Sequence, residues 1–401
     1  GIIETEGAEP VADVDVQLSG SNQSNMMTTN NGQYGFAVTP GGDYTVTPVK
    51  DVDPLNGVTT FDLVLITKHI LGVQSLDSPY KMIAADANKS KSITTFDLVQ
   101  LRKLILFIDT EFPNNTSWRF VDKGYVFPDP TNPWVEEFPE VINFNNVTAD
   151  ELDSDFIAVK IGDVNGSAQP NFASAAEDRT VTGSLVFDID DVELENGELY
   201  TVNFKAHDFN VLGYQFTLNF DRTALEFVDV VPALASMDNF GLTLLDKGAI
   251  TTSWNENDVK LEDGDVVFSL TFKANRKVKL SEALSVNSRF TPAEAYKPNG
   301  DLLDVDLAFN GALAGTFELY QNTPNPFSAE TVVGFNLPQA STATLTITDV
   351  SGKVVKVVTG DFAKGYNEIR LKRSDLPAGG IYYYQLDTPT DSATKMMLLV
   401  D

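Results

Sequence analysis

The 401-residue sequence has no cysteine, two histidines, three tryptophans and few positive charges. Without cysteine there are no disulfide staples, thiolate metal sites or thiol nucleophiles. Imidazole comes only from His69 and His207, which excludes a zinc-type histidine cluster. Lys and Arg number 28 against 57 Asp and Glu, a net charge of −29. Such an acidic surface repels phosphate, which argues against nucleic acid and anionic membrane as partners and favours cations. Apolar runs such as Met396 to Val400 are far too short for a membrane span. Gly1 opens the chain without an initiator methionine or a signal peptide, which reads as a processed chain or a fragment.

What is present is a globular composition. Hydrophobic residues make up 42% and charged residues 21%, enough to bury real cores. At roughly 150 residues per domain, two to four domains are expected. The acid is uneven. Residues 1–170 carry 24 acidic and 10 basic side chains and residues 171–315 carry 24 and 11, but residues 316–401 carry only 9 and 7.

Residues 1–50 alternate with the strand period at Val14, Val16 and Leu18, at Tyr34, Phe36 and Val38, and at Tyr44 and Val46. Turns at Asn31-Gly32 and Gly41-Gly42 separate these runs, so a small β-sandwich is expected. Fifty residues are short for an independent core, and the unit should lean on its neighbour. Its Asn31-Gly32-Gln33-Tyr34-Gly35-Phe36 and Gly42-Asp43-Tyr44 pattern resembles the carboxypeptidase-regulatory-like or prealbumin-like repeats of surface proteins.

Residues 51–170 begin with a helical period and an internal repeat. Gly57-Val58-Thr59-Thr60-Phe61-Asp62-Leu63-Val64 returns 35 residues later as Ser92-Ile93-Thr94-Thr95-Phe96-Asp97-Leu98-Val99. Each copy leads into an amphipathic helix, Leu63 to Leu71 and Leu98 to Phe107. Hard cations such as Ca2+ take six to eight oxygens from a wrapping loop, with ligands at alternate positions and a carboxylate at position 12. Counting from Asp86 gives Asp86, Asn88, Ser90, the Ser92 carbonyl, Thr94 and Asp97. Counting from Asp51 gives Asp51, Asp53, Gly57, Thr59 and Asp62, with an apolar Leu55 at position 5. Neither loop alone is a clean EF-hand. The same Asp and Thr residues also suit helix caps.

Two such loops, each followed by one helix, resemble the dockerin family over residues 51–108. That resemblance implies calcium binding and docking onto cohesin modules. Residues 109–162 look like an insertion. Asp163-Val164-Asn165-Gly166 reads as the start of a third loop, whose Asp163 and Asn165 could complete the defective first site. A polar linker is expected from Ser167 to Asp178.

Residues 179–315 run strand after strand, including Val181 to Ile189, Tyr200 to Ala206, Gly213 to Phe220 and Val266 to Ala274. Gly213-Tyr214-Gln215-Phe216-Thr217-Leu218-Asn219-Phe220-Asp221, Leu225-Glu226-Phe227 and Leu261-Glu262-Asp263-Gly264-Asp265-Val266-Val267-Phe268 resemble the cohesin family, a jelly-roll sandwich that receives dockerins. Docking in cis would give a rigid rod; docking in trans would give a homo-oligomer or filament.

Residues 316–401 contain Leu319-Tyr320-Gln321-Asn322-Thr323-Pro324-Asn325-Pro326-Phe327, Asp349-Val350-Ser351-Gly352-Lys353 and Leu376-Pro377-Ala378-Gly379-Gly380-Ile381-Tyr382. Together these resemble the type IX secretion C-terminal sorting domain of Bacteroidetes. The resemblance implies an immunoglobulin-like sandwich read by the export machinery, and a secreted or outer-surface protein.

No nucleophile elbow or phosphate-cradling glycine loop is present, and no catalytic residue is assigned. The sequence therefore predicts a mainly β, multidomain protein: prealbumin-like, cohesin-like jelly-roll and immunoglobulin-like sandwiches with one small helical dockerin-like module. The function expected is non-enzymatic, structural or adhesive, and stabilised by Ca2+. The alternative is a carbohydrate-binding accessory region of a secreted glycan-degrading enzyme, with Trp118, Trp134 or Trp254 as sugar platforms.

Overall fold

A computed structural model of the chain describes residues 1–170, 181–206, 208–257, 259–262, 264–310, 312–313, 317–322, 324–338, 340–350, 352–363 and 365–400. His207, Asp263, Thr323, Ser351 and most of the expected linker lie outside the described residues.

The N-terminal unit contains β1 (Ile3–Thr5), β2 (Asp15–Gly20), β3 (Ser24–Met27) and β4 (Tyr44–Val49). Alternation turns Val16 and Leu18 of β2 inward, and Leu18 lies opposite Val46 of β4. Fifty residues do not close this unit. The chain after the helices supplies β5 (Trp118–Asp122), β6 (Ile142–Phe144) and β7 (Phe156–Lys160). Strand β6 extends the β3-β2-β4 sheet, and β1 runs parallel to β7, which pairs with β5. Tyr34, Phe36 and Val38 alternate like a strand but join no ladder. They line a cavity of about 510 Å³ with Tyr44 and Phe144.

Helices α1 (Thr60–Ile70) and α3 (Thr95–Ile105) follow the repeat, with α2 (Pro79–Ala85) between them. Thr59 and Thr94 start them with capping boxes, each worth about 1 kcal/mol, so both helices begin three residues before the apolar stripe does. Leu63 and Ile66 of α1 meet Leu101, Leu104 and Ile105 of α3 over Met82, Ile83, Val159 and Ile161. Both helices stop on a left-handed residue. In the first copy it is Gly72 (φ 68°), which adopts it freely; in the second it is Phe107 (φ 57°), at a cost of about 1–2 kcal/mol.

The described residues between 181 and 313 form one sandwich unit, an eleven-stranded sheet with a separate two-stranded pair. Its strands are β8 (Val181–Ile189), β9 (Glu193–Leu194), β10 (Leu199–Ala206), β11 (Gly213–Phe220), β12 (Leu225–Pro232), β13 (Phe240–Gly241), β14 (Ala249–Asn255), β15 (Val266–Ala274), β16 (Val278–Lys279), β17 (Leu284–Asn287), β18 (Glu294–Tyr296), β19 (Leu302–Phe309) and β20 (Ala312–Leu313). The order is β12-β15-β10-β8-β19-β18-β11-β14-β13, with β17 on β11, β20 on β19, and a separate β9–β16 pair. Phe187, Phe204, Phe216, Phe268 and Phe272 fill the interior, each contributing about 1.5–3 kcal/mol by burial. Phe204 and Phe268 stack with centroids 4.3 Å apart.

The C-terminal unit has two sheets. One contains β21 (Glu318–Leu319), β22 (Glu330–Leu337) and β25 (Gly365–Lys372); the other contains β23 (Ser341–Asp349), β24 (Val354–Phe362), β26 (Gly380–Asp387) and β27 (Ser392–Leu399). Val333, Phe335, Leu345, Ile347, Leu386 and Met397 fill the space between them. The proline-rich entry is tied to this core by Asn322 and Tyr384. Tyr384 Oη accepts from the Asn322 N–H (2.8 Å) and donates to the Tyr320 carbonyl (2.9 Å). Asn322 Nδ2 donates to Thr331 Oγ1 (2.9 Å) and to the Pro324 carbonyl (3.1 Å).

No helix among the described residues is long and apolar enough to cross a membrane. The tryptophans are structural. Trp118 and Trp254 are buried in the cores, and Trp134 packs partly buried against the helical cluster. Trp118 and Trp254 therefore have no face free for a sugar.

Candidate functional site: two oxygen cradles and a helix–sandwich contact

The loop between α2 and α3 curls on itself through left-handed turns at Lys89 (φ 58°) and Lys91 (φ 62°). Asp86, fully buried, accepts the Ser90 N–H at Oδ1 and the Lys91 N–H at Oδ2, both at 2.8 Å. Asn88 Oδ1 also takes the Ser90 N–H (2.9 Å), and Ser90 Oγ donates to the Ser92 carbonyl (3.2 Å). Asp97 closes the loop. Its Oδ2 accepts from the Thr94 N–H (2.8 Å) and hydroxyl (3.2 Å), and its Oδ1 from the Asn88 N–H (3.2 Å). The structure thus brings Asp86, Asn88, Ser90, Ser92, Thr94 and Asp97 together. Burial raises the Asp86 pKa above the ordinary carboxylate range, and the nearby Asp97 charge adds to the rise.

A second cradle is assembled from two distant segments. Asp62 is fully buried; its Oδ2 accepts from the Thr59 N–H (2.8 Å) and hydroxyl (3.1 Å), and its Oδ1 accepts the Val164 N–H (2.9 Å). Asp163 Oδ1 accepts from the Gly166 N–H (2.8 Å) and Ser167 N–H (3.1 Å), and Oδ2 from the Ala168 N–H (2.7 Å). Ser167 Oγ donates to the Gly57 carbonyl (3.0 Å). Five positions repeat the first cradle: Asp163 stands as Asp86 does, Ser167 as Ser90, Gly57 as Ser92, Thr59 as Thr94 and Asp62 as Asp97. The match is not complete, since Asp62 Oδ1 takes the N–H of Val164, the counterpart of Ala87, where Asp97 Oδ1 takes that of Asn88. The loop is cut in two, its front half after the insertion and its back half before α1. Asn165, the counterpart of Asn88, has its Oδ1 buried with no hydrogen-bond partner. Burial, reinforced by the Asp163 charge, pushes the Asp62 carboxyl up to about 8.

Asp51 and Asp53 do not join this cradle. Asp51 Oδ1 is taken by the Ser117 N–H (2.8 Å) and hydroxyl (3.0 Å), and Asp53 is exposed at φ 48°. Leu55 packs against the helical core. Ser167 belongs to this cradle and not to the linker expected from Ser167 to Asp178, and Asp163-Val164-Asn165-Gly166-Ser167 repeats the D-x-N-x-S spacing of Asp86-Ala87-Asn88-Lys89-Ser90. That spacing was the available signal. Among the described residues no group of three or more His, Cys, Asp or Glu side chains could hold a metal. Each cradle instead offers two carboxylates with amide, hydroxyl and carbonyl oxygens, a donor set suited to a hard cation.

The helices carrying these cradles lie on the sandwich. Alternation sends Tyr214, Phe216 and Leu218 of β11, and Ile250 and Trp254 of β14, into the core. Gln215, Thr217, Thr251 and Ser253 point the other way yet are also buried. Buried polar groups need partners, and helix ends carry free ones. The Thr60 N–H donates to Gln215 Oε1 (2.7 Å), and Thr60 Oγ1 lies 2.7 Å from Ser253 Oγ. At the other end of the module, the Ile105, Leu106 and Phe107 carbonyls accept from the hydroxyls of Thr291 (2.6 Å), Thr251 (2.7 Å) and Thr243 (2.7 Å). Asn255 bridges both helices, accepting from Arg102 (2.5 Å) and donating to Thr67 Oγ1 (3.2 Å). Phe61 meets Tyr296 and Phe107 meets Phe290, with ring centroids 5.2 and 5.7 Å apart. That last contact accounts for a phenylalanine where the first copy has Gly72.

Two family models match the chain: a cohesin domain over residues 186–295 and a secretion system C-terminal sorting domain over residues 323–400. Among solved structures, the chain is similar to the seventh ScaB type I cohesin of Pseudobacteroides cellulosolvens, at 20% identity over 32% of this chain and 88% of that one (TM-score 0.23). It is similar to the type II cohesin dyad of the ScaA scaffoldin of Acetivibrio cellulolyticus, at 16% identity over 42% and 61% (TM-score 0.25). It is also similar to the Coh-OlpC-Doc435 cohesin–dockerin complex of Clostridium thermocellum, at 13% identity over 33% and 94% (TM-score 0.27). No curated protein matches. The chain is mainly β and carries a cohesin domain followed by a type IX sorting domain, both non-catalytic modules. It is a secreted or outer-surface protein.

Proposed function

We propose that the protein is a calcium-stabilised, non-enzymatic structural or adhesive component of a bacterial cell surface, of Bacteroidetes type. In this reading residues 1–50 are a carboxypeptidase-regulatory-like unit and residues 51–170 a dockerin-like module with an insertion, docking on the cohesin domain. Residues 316–401 address the chain to the type IX export machinery. The observation that carries the reading is the duplicated oxygen cradle, the second copy rebuilt from Asp163, Asn165, Ser167, Gly57, Thr59 and Asp62.

A divalent cation would neutralise buried carboxylates that repel one another, Asp86 with Asp97 and Asp62 with Asp163, the latter pair already partly offset by the buried Lys160 ammonium. At a hundredfold excess over Kd, each bound ion stabilises the fold by about 2.7 kcal/mol. Calorimetric calcium titration of the full chain tests this. Two binding events are expected, one lost in Asp62→Ala and the other in Asp86→Ala. No heat, or heat unchanged by both substitutions, would end the calcium claim.

A further inference from the structure

The docking face of the sandwich is covered by the chain's own helical module. Its buried outward row of Gln215, Thr251 and Ser253, with Thr291 from the loop beside it, finds partners in the two helix ends that the repeat creates. The fit extends to the backbone. A Cβ at Gly241 would lie 2.0 Å from the Leu106 carbonyl oxygen, and one at Gly213 would lie 3.1 Å from Thr60 Cγ2. These strands approach the helices as closely as glycine allows.

We propose that the helical module is the resident occupant of this face, so that the chain is closed on itself and takes no second module while closed. This rests on reading residues 186–295 as a docking domain. The tether argues for the same chain as occupant. Only residues 171–180 separate the last described residue of the module from β8. A short linker sets an effective concentration on the order of millimolar. A free partner at micromolar concentration is therefore outcompeted about a thousandfold for equal contacts. Trans assembly through this face requires the module to leave first.

The absence of cysteine makes the test clean. In the full chain carrying Thr60→Cys and Ser253→Cys, the two sulfurs replace oxygens 2.7 Å apart. Mild oxidation at low micromolar concentration, followed by intact mass and a non-reducing gel, should give a monomer with an internal disulfide and no free thiol. Disulfide-linked dimers or ladders would overturn closure while leaving the docking reading standing, because the faces would then meet between chains. Thiols left free would overturn both.

The unmodified chain gives a second reading that no substitution can disturb. Sedimentation from low to high micromolar concentration should show one monomeric species, with the Thr60 amide equally protected from hydrogen exchange throughout. Oligomers growing with concentration, or a Thr60 amide that exchanges freely, would refute closure.

Discussion

Gly241→Ala places one methyl group where the helical module meets the sandwich. The added carbon would sit 2.0 Å from the Leu106 carbonyl oxygen and 2.3 Å from Thr251 Oγ1. Non-bonded contact is comfortable only near about 3.5 Å, so the C-terminal turn of α3 must withdraw by an ångström or more. The 2.7 Å hydrogen bond from Thr251 to Leu106 would then lie beyond bonding range. Donor and acceptor are both buried, and each unpaired group costs about 1–3 kcal/mol, about 2–6 kcal/mol together. The backbone itself accepts alanine, since Gly241 lies in β13 outside the left-handed region, but the Thr251 hydroxyl on the neighbouring strand must also turn away. Hydrogen exchange by mass spectrometry should show faster exchange in the peptide spanning 100–108, with a lowered melting temperature. Gly183→Ala is the control: its Cβ would meet only Leu303 Cδ2, at 3.5 Å, and both readouts should stay put. If Gly241→Ala behaves like the control, the module is not seated on this face and the interface argument fails.

Two further predictions follow from the cores. Phe268 stacks on Phe204 at the centre of the sandwich, so Phe268→Ala should cost about 3–5 kcal/mol in a denaturant titration; a loss under about 1 kcal/mol would contradict the assigned core. Asn322→Ala should destabilise the C-terminal unit by about 1–3 kcal/mol through loss of the two hydrogen bonds from Asn322 Nδ2, leaving Thr331 and the Pro324 carbonyl bonded only to each other, seen as faster limited proteolysis within residues 316–401 and nowhere else.

The sandwich was legible because its strands carry their own evidence. Gly213 to Phe220 and Val266 to Ala274 alternate cleanly, and each forms a strand with those bounds. The helices were legible from their stripes, with starts displaced because a capping threonine is polar and interrupts the stripe. Tyr34, Phe36 and Val38 misled because alternation reports a buried face, not the presence of a neighbouring strand. Strand β1 was invisible because its partner, Phe156 to Lys160, lies some hundred and fifty residues away. The divided cradle was half legible. Asp163 and Asn165 stand out as loop starters, but counting from Asp51 assumes that one continuous run supplies every oxygen. The insertion returns the chain to α1 and sets Asp163 where that count placed Asp51. Docking of the helical module on the sandwich was legible as one of two arrangements, but not the choice of cis, because Gln215, Thr251 and Ser253 look like an ordinary solvent-facing row until the helices are placed on them.

Counting bound ions tests the central claim most directly. Native mass spectrometry of the full chain in calcium should find two ions. Asp62→Ala and Asp163→Ala should each leave one, their combination should still leave one, and adding Asp86→Ala should leave none. Two ions retained by Asp163→Ala, or none bound by the unmodified chain, would contradict the divided cradle and the calcium-stabilised account built on it.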